Sequence, residues 1–390
     1  MLDQLTRDEL LEAPAEADQR VTALELFFDL VFVFAITQVT GFIYHDPTWT
    51  RLLESMALLM VLWFAWSGYV WLGNTAATDE GPIRVVLLTV MGPLLIVSLT
   101  VPHAFGKDAL AFGIAFFFVR ALHIAAYVVL ARGDPQLGTV VFRLARAMLP
   151  AAALLVVAGT VTGPARAACW VAAIAVDYGG VFLAGTKGWR VEPAHFAERH
   201  GLMIIIALGE SIVAIGVGAA SLGVGASVVV GGLLGIAVAA ALWWAYFDVV
   251  STVAERKLRE ASPDARALMA RNSYTYMHLP MVAGIVIFAF GVKTMLAHVH
   301  VHLEPLPAAA LCGGVALYFL ALSSFKRLNI GSFNRPRLVA AGILIVLAPL
   351  ATRMPALVSL ALVALVACGL IAYEVRRYAE ARDRIRHGRS

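Results

Sequence analysis

The feature that most constrains this chain is a recurring apolar run about as long as a bilayer is thick. Bounded by charge, Pro or Gly, twelve such runs fall at approximately 21–44, 52–72, 83–102, 109–131, 144–162, 167–185, 201–221, 227–250, 274–296, 307–325, 338–352 and 356–375. About 20 helical residues cross a hydrocarbon core of about 30 Å. In lipid every backbone N–H and C=O must be bonded within its own segment, so these runs are helices and not open strands. The composition agrees, with 61% hydrophobic and 14% charged residues and a mean hydropathy of +0.82. That balance excludes a soluble enzyme, for which about 25% charged residues is usual. No P-loop, G-x-S-x-G, H-E-x-x-H or dinucleotide fingerprint occurs, so no enzyme, no metal site and no cofactor are expected.

The net charge of +4 could suggest nucleic acid, but the placement of the basic residues reads as topology instead. Twenty-four Lys and Arg fall on the side of the N-terminal tail and five on the other (Arg51, Lys107, Arg166, Lys293 and Arg353), with Arg120 inside a span. Cytoplasmic loops collect Lys and Arg, so twelve spans with both termini cytoplasmic are expected, and nucleic acid is not a partner. The first 20 residues carry Asp3, Asp8, Glu9, Glu12, Glu16 and Asp18 against Arg7 and Arg20. A secretory signal opens with a basic segment, so none is read here. Cys169, Cys312 and Cys368 sit in apolar runs and are expected to pack as small hydrophobes.

The spans show an internal echo. Leu62-Trp63-Phe64-Ala65-Trp66 in the second matches Leu242-Trp243-Trp244-Ala245-Tyr246 in the eighth, and Asp29 in the first matches Glu210 in the seventh. Pro93 and Pro280 mark the third and ninth spans, and Arg143 and Arg335 open the fifth and eleventh. Six spans per half is even, so the halves share one orientation, related by an axis along the membrane normal. The expected fold is therefore all-α: a polytopic membrane helix bundle of about twelve transmembrane helices in two parallel six-helix repeats. The expected division is an acidic cytoplasmic tail (1–20), a first repeat (21–186), a cytoplasmic linker (187–200), a second repeat (201–375) and a basic cytoplasmic tail (376–390) that lies along anionic headgroups.

Ionisable groups deep in a bilayer are costly and call for an explanation. Glu25 and Asp29 are four apart and share a helical face with Thr22, Ile36 and Thr40, Thr37 lying at its edge. The seventh span carries Arg199, Met203, Glu210, Ala214 and Ser221 on one face. Arg120 and His123 in the fourth span and Asp177 in the sixth are candidate partners. Arg has no accessible neutral form, so Arg120 is expected to face Asp29, Glu25, Asp177 or Glu210. His298, His300 and His302 alternate in one loop and are read as solvated rather than metal-binding. Trp63, Trp66, Trp71, Trp243 and Trp244 are read as packing or interfacial groups, and Gly231 and Gly235 as a close helix contact.

The run Glu25-Leu26-Phe27-Phe28-Asp29-Leu30-Val31-Phe32, with Glu198-Arg199-His200-Gly201-Leu202-Met203 and Leu208-Gly209-Glu210-Ser211, resembles the bacterial low temperature requirement protein A (LtrA) family, over about 20–375. The resemblance implies a many-helix membrane protein; the family name records a cold-growth phenotype. Arg20 followed by Phe28-Asp29-Leu30-Val31-Phe32 is also similar to the first helix of the endolysosomal potassium-channel family and its bacterial relatives, although Phe28 stands where that family has Ser.

These readings lead to a multi-pass protein of the cytoplasmic membrane that acts as a proton- or cation-coupled secondary transporter or exchanger. Glu25, Asp29, Thr37, Thr40 and Glu210 would line its pathway, with Asp29 and Glu210 as coupling acids. Arg20, Arg120, His123, Asp177 and Arg199 would be counter-charges or relays, Arg120 serving the coupling acids. The partners would be the lipid bilayer and a small ion or small-molecule substrate, and a homo-oligomer is left open. Two alternatives stand: a cation channel constricted at Ile36 and Val217, and a membrane scaffold or sensor whose buried charges are structural.

Overall fold

The computed structural model describes residues 20–75, 78, 81–222, 225–380 and 382. The acidic stretch 1–19, the Ser221 side chain and the basic residues 383–390 lie outside the described residues. Thr22 begins the first helix with a capping box: its hydroxyl accepts the Glu25 N–H at 3.2 Å, and the Glu25 carboxylate accepts the Thr22 N–H at 2.9 Å. Helix α1 (Ala23–His45) is followed by α2 (Trp49–Gly73), α3 (Gly81–Thr100), α4 (Ala109–Leu130), α5 (Pro135–Thr160) and α6 (Gly163–Ala184). Then come α7 (Pro193–Leu222), α8 (Ala226–Phe247), the short α9 (Val250–Glu260) and α10 (Pro263–Met269), α11 (Tyr276–Ala297), α12 (Pro305–Ile330), α13 (Arg335–Ala351) and α14 (Ala356–Arg377). Among the described residues, eleven helical segments are long and apolar enough to cross a membrane. The twelfth expected span is α13, whose 17 residues rise about 25 Å.

Helices extend past the apolar runs that announced them. Helix α5 starts at Pro135, capped by Asp134, whose carboxylate accepts the N–H groups of Gln136 and Leu137, so Arg143 and Arg146 are helical and not in a loop. Helix α7 starts at Pro193 and brings His195, Arg199 and His200 into the bundle. The basic segment 251–272, expected as a loop, forms α9 and α10 and runs through a π-helical turn at Ala270–Thr275 into α11.

Neighbour relations repeat along the chain. Helix α1 packs on α2 and α3, α3 on α4, α4 on α5, α5 on α6, and α6 returns to α2. In the same order α7 packs on α8 and α11, α11 on α12, α12 on α13, α13 on α14, and α14 returns to α8. The two sets meet where α1 and α2 touch α7 and α11. Outward-facing Leu53, Val171, Leu183 and Leu365 are exposed. So much bare apolar surface would be an aggregation hazard in water, and here it meets lipid. The three cysteines are free thiols; Cys312 is buried in the bundle and Cys368 faces outward.

Small residues set the closest helix approaches. A Cβ on Gly284 of α11 would lie 2.6 Å from the Gly314 carbonyl oxygen of α12, and a Cβ on Gly314 would lie 2.6 Å from the Gly284 oxygen. Gly231 and Gly235 of α8 fit against Leu296 and Ile215, the close contact expected of them. Gly284→Val should cost at least the roughly 1–3 kcal/mol of an overpacked core. Thermal unfolding in detergent, followed by size exclusion, should show a lowered midpoint. Gly342→Val, at a position with open space, should leave the midpoint where it is.

Candidate functional site

The buried ionisable groups line up where α1 lies against α7. Residue pairs in contact rise together along both helices (Glu25 with His195, Asp29 with Arg199, Thr37 with Glu210), so the two helices run parallel. At the first level the Glu25 oxygens accept from His195 Nε2 at 3.0 and 3.1 Å. The orientation of that ring is fixed from its other side, where Asn74 Nδ2 donates to His195 Nδ1 at 2.9 Å. Gly73 leaves the room: a Cβ there would stand 2.5 Å from Glu25 Oε1.

One turn further in, Asp29 Oδ1 accepts from Arg199 Nη2 and from Trp66 Nε1, both at 2.9 Å. Asp29 and Arg199 are each only 1% exposed. The pair is not saturated, since Asp29 Oδ2 and the Nε and Nη1 atoms of Arg199 have no hydrogen-bond partner. Trp66 also lies under the guanidinium, 6.0 Å from ring centroid to Cζ.

Glu210 follows Arg199 by eleven residues, about 16 Å along the helix axis. Its carboxylate is bonded to the Thr37 hydroxyl, and the Lys293 ammonium on α11 is near enough to act on it electrostatically. The same Thr37 hydroxyl lies 3.0 Å from the Val33 carbonyl oxygen. A hydroxyl has one proton, so Thr37 can give it to an ionised Glu210, or give it to Val33 and accept from a protonated Glu210.

Other expected site residues fall elsewhere. Arg120 does not serve Asp29 or Glu210: its Nη2 donates to Asp177 Oδ1 at 2.7 Å and its Nη1 to the Phe64 carbonyl at 2.9 Å, tying α4 to α6 and α2. His123 lies apart from the α1/α7 seam, and its Nε2 donates to the Gly68 carbonyl at 2.9 Å. Thr40 returns its proton to the Ile36 carbonyl of its own helix. Arg20 is exposed, on the rim of a cleft with Glu198 and Glu255. Of the two residues considered for a channel constriction, Ile36 is buried and Val217 is 58% exposed. Among the described residues no group of three metal-binding side chains occurs, at His298, His300 and His302 or elsewhere.

His195, Asn74, Lys293 and Trp66 were missed as partners. His195 precedes Arg199 by one helical turn on the same face, so extending that face backwards would have found it. The tryptophans of α2 do more than pack: Trp63 and Trp71 donate to the carbonyl and hydroxyl of Thr275, while Trp243 and Trp244 face outward. A further pair, Arg337–Glu374, joins α13 to α14 through two hydrogen bonds of 2.9 and 2.8 Å.

Removing one partner of a buried pair costs about 3–5 kcal/mol, because the other charge is stranded. Asp177→Asn should therefore sharply reduce the yield of monodisperse protein. Adding Arg120→Met should recover part of that yield, measured by size exclusion at matched expression.

The chain matches the bacterial low temperature requirement A protein (LtrA) family over residues 20–372. It is 28% identical, over 315 residues, to an uncharacterized protein of Rhizobium meliloti (strain 1021), an alignment that covers 78% of this chain and 76% of the relative. No solved structure matches it. The match spans both halves of the bundle, including the acids of α1 and α7 and the arginine between them, and the chain belongs to the bacterial LtrA family.

Proposed function

We propose that this protein is a proton- or cation-coupled secondary transporter or exchanger of the bacterial cytoplasmic membrane, with its pathway along the α1/α7 seam. Glu210 is the coupling acid. The observation that carries this reading is the Thr37 hydroxyl, which can satisfy Glu210 in either protonation state by turning its single proton. A group that must gain and lose a proton inside a bilayer needs such a partner, since an unsatisfied polar atom there costs several kcal/mol. Asp29 and Arg199 form the gate-like pair at the other level, with open hydrogen-bond capacity on both sides. Both termini are cytoplasmic, and the two six-helix units are related by an axis along the membrane normal.

The test is flux into proteoliposomes, reported by a trapped pH dye under imposed proton, sodium and potassium gradients. Wild-type protein should carry proton-linked flux under at least one gradient. Glu210→Gln should elute as folded protein and lose at least nine-tenths of that flux, and Thr37→Val should fall between the two. Silence of folded wild-type protein under all three gradients, or full flux in Glu210→Gln, overturns the reading. In the first case a scaffold with structural charges gains ground; in the second the coupling acid is another residue.

A further inference from the structure

A cavity outside the α1/α7 seam lies among α2, α4, α5 and α6. The 185–192 link and the π-helical turn before α11 close it. It encloses about 40 Å³ of free space. At roughly 10–15 Å³ per water, that is room for about three waters, or for an acid of two or three carbons.

Its wall makes three chemical demands. His123 is 1% exposed, and because a carbonyl only accepts, its Nε2 carries the proton given to Gly68. Its Nδ1 is therefore a lone-pair acceptor; it has no partner, and the ring lines the cavity. The occupant must donate a hydrogen bond. Arg271 also lines the cavity, held through Nε to Asn272 Oδ1 and through Nη1 to the Phe182 carbonyl, which leaves Nη2 for another acceptor. No Asp or Glu lines the cavity, so the occupant must supply the negative charge. Phe64, Trp71, Tyr127 and Trp189 supply apolar walls that exclude bulk water and strengthen an ion pair formed inside. Trp71 donates to the Thr275 hydroxyl at 3.0 Å, which leaves the proton of Thr275 available to an acceptor.

We propose that this cavity binds a small oxyanion carrying one O–H donor, with glycolate and hydrogencarbonate as its simplest forms. The planar anionic end pairs with Arg271, as a guanidinium favours. The hydroxyl donates to His123 Nδ1. The π-helical turn puts Arg271 and Thr275 on one face toward the cavity, a use to which such distortions are often put. This site stands whether or not the seam transports.

The test uses the full chain in detergent, titrated with glycolate, hydrogencarbonate, acetate and chloride. Binding is followed by tryptophan fluorescence, which Trp71 and Trp189 report, and by the thermal midpoint. Saturable binding of glycolate or hydrogencarbonate, with acetate and chloride at least ten-fold weaker, is expected, and the tighter of the first two identifies the source of the anion. Arg271→Gln should weaken the preferred anion at least ten-fold, and His123→Leu should bring glycolate and acetate to within about two-fold of each other. If neither glycolate nor hydrogencarbonate binds wild-type protein more tightly than acetate, or if Arg271→Gln binds as wild type does, the proposal fails. The wild-type comparison decides the matter even if both variants misfold.

Discussion

A charge in hydrocarbon is tolerated only with its partner in reach, and that rule arranges this bundle. Each buried ionic pair sits between helices: Arg199–Asp29 and His195–Glu25 between α7 and α1, Arg120–Asp177 between α4 and α6, and Arg337–Glu374 between α13 and α14. Hydrophobic collapse cannot dictate which helix meets which when the lipid is as apolar as the side chains. Two things can: the pairing of charges, and the glycine contacts that let backbones touch. The pairs tie helices within each half and across the junction, while apolar faces are left to the lipid.

The pairs differ in how fully they are satisfied. Arg337 meets Glu374 through two hydrogen bonds, and Asn334 adds a third to the same carboxylate. Only Nη1 of Arg337 is left without a partner, and the arrangement serves as a clasp. Arg120 spends two of its nitrogens on Asp177 and Phe64 and leaves only Nε without a partner. Asp29 and Arg199 keep an oxygen and two nitrogens uncommitted in a place from which bulk water is absent. Unmet hydrogen-bond capacity of that kind is expensive, and proteins keep it where something passes or binds.

The twelve helices were legible because a bilayer imposes one length and one polarity on every crossing. Their ends were less so. Asp134 extends α5 one helical turn or more before its apolar run, and Pro193 does the same for α7, because caps act beyond the hydrocarbon where hydropathy carries no signal. The site residues were legible as types: Asp29, Glu210, Arg120 and Asp177 stood out simply as charges in apolar runs. Their pairing was not, since Arg120 had four acids within reason and only the packing of α4 and α6 on the same neighbours, α2 and α5, selects Asp177. His195 and Lys293 escaped because each lies near a helix end, where a charge needs no special explanation. Trp66 escaped because its indole N–H is invisible in a motif read for its ring.

The internal echo has a limit that bears on how any pathway would run. Helix neighbours recur in both halves, and the motif register set Asp29 against Glu210. Yet in the parallel pair of α1 and α7 the residue level with Asp29 is Arg199, and the one level with Glu210 is Thr37. The acids therefore sit about 12–16 Å apart along the axis, counted on α1 and on α7, with the buried rings and branches of Phe32 and Ile36 between them on α1. That gap is several times a hydrogen-bond length, and a proton or cation on the seam could not step from one acid to the other directly. On the transport reading the two levels are two separate stations, one facing each side. Movement between them then requires α1 and α7 to shift against each other. Strict twofold equivalence would have put both acids at one level as like charges facing each other; replacing one by Arg199 turns that repulsion into the bond that holds the helices together.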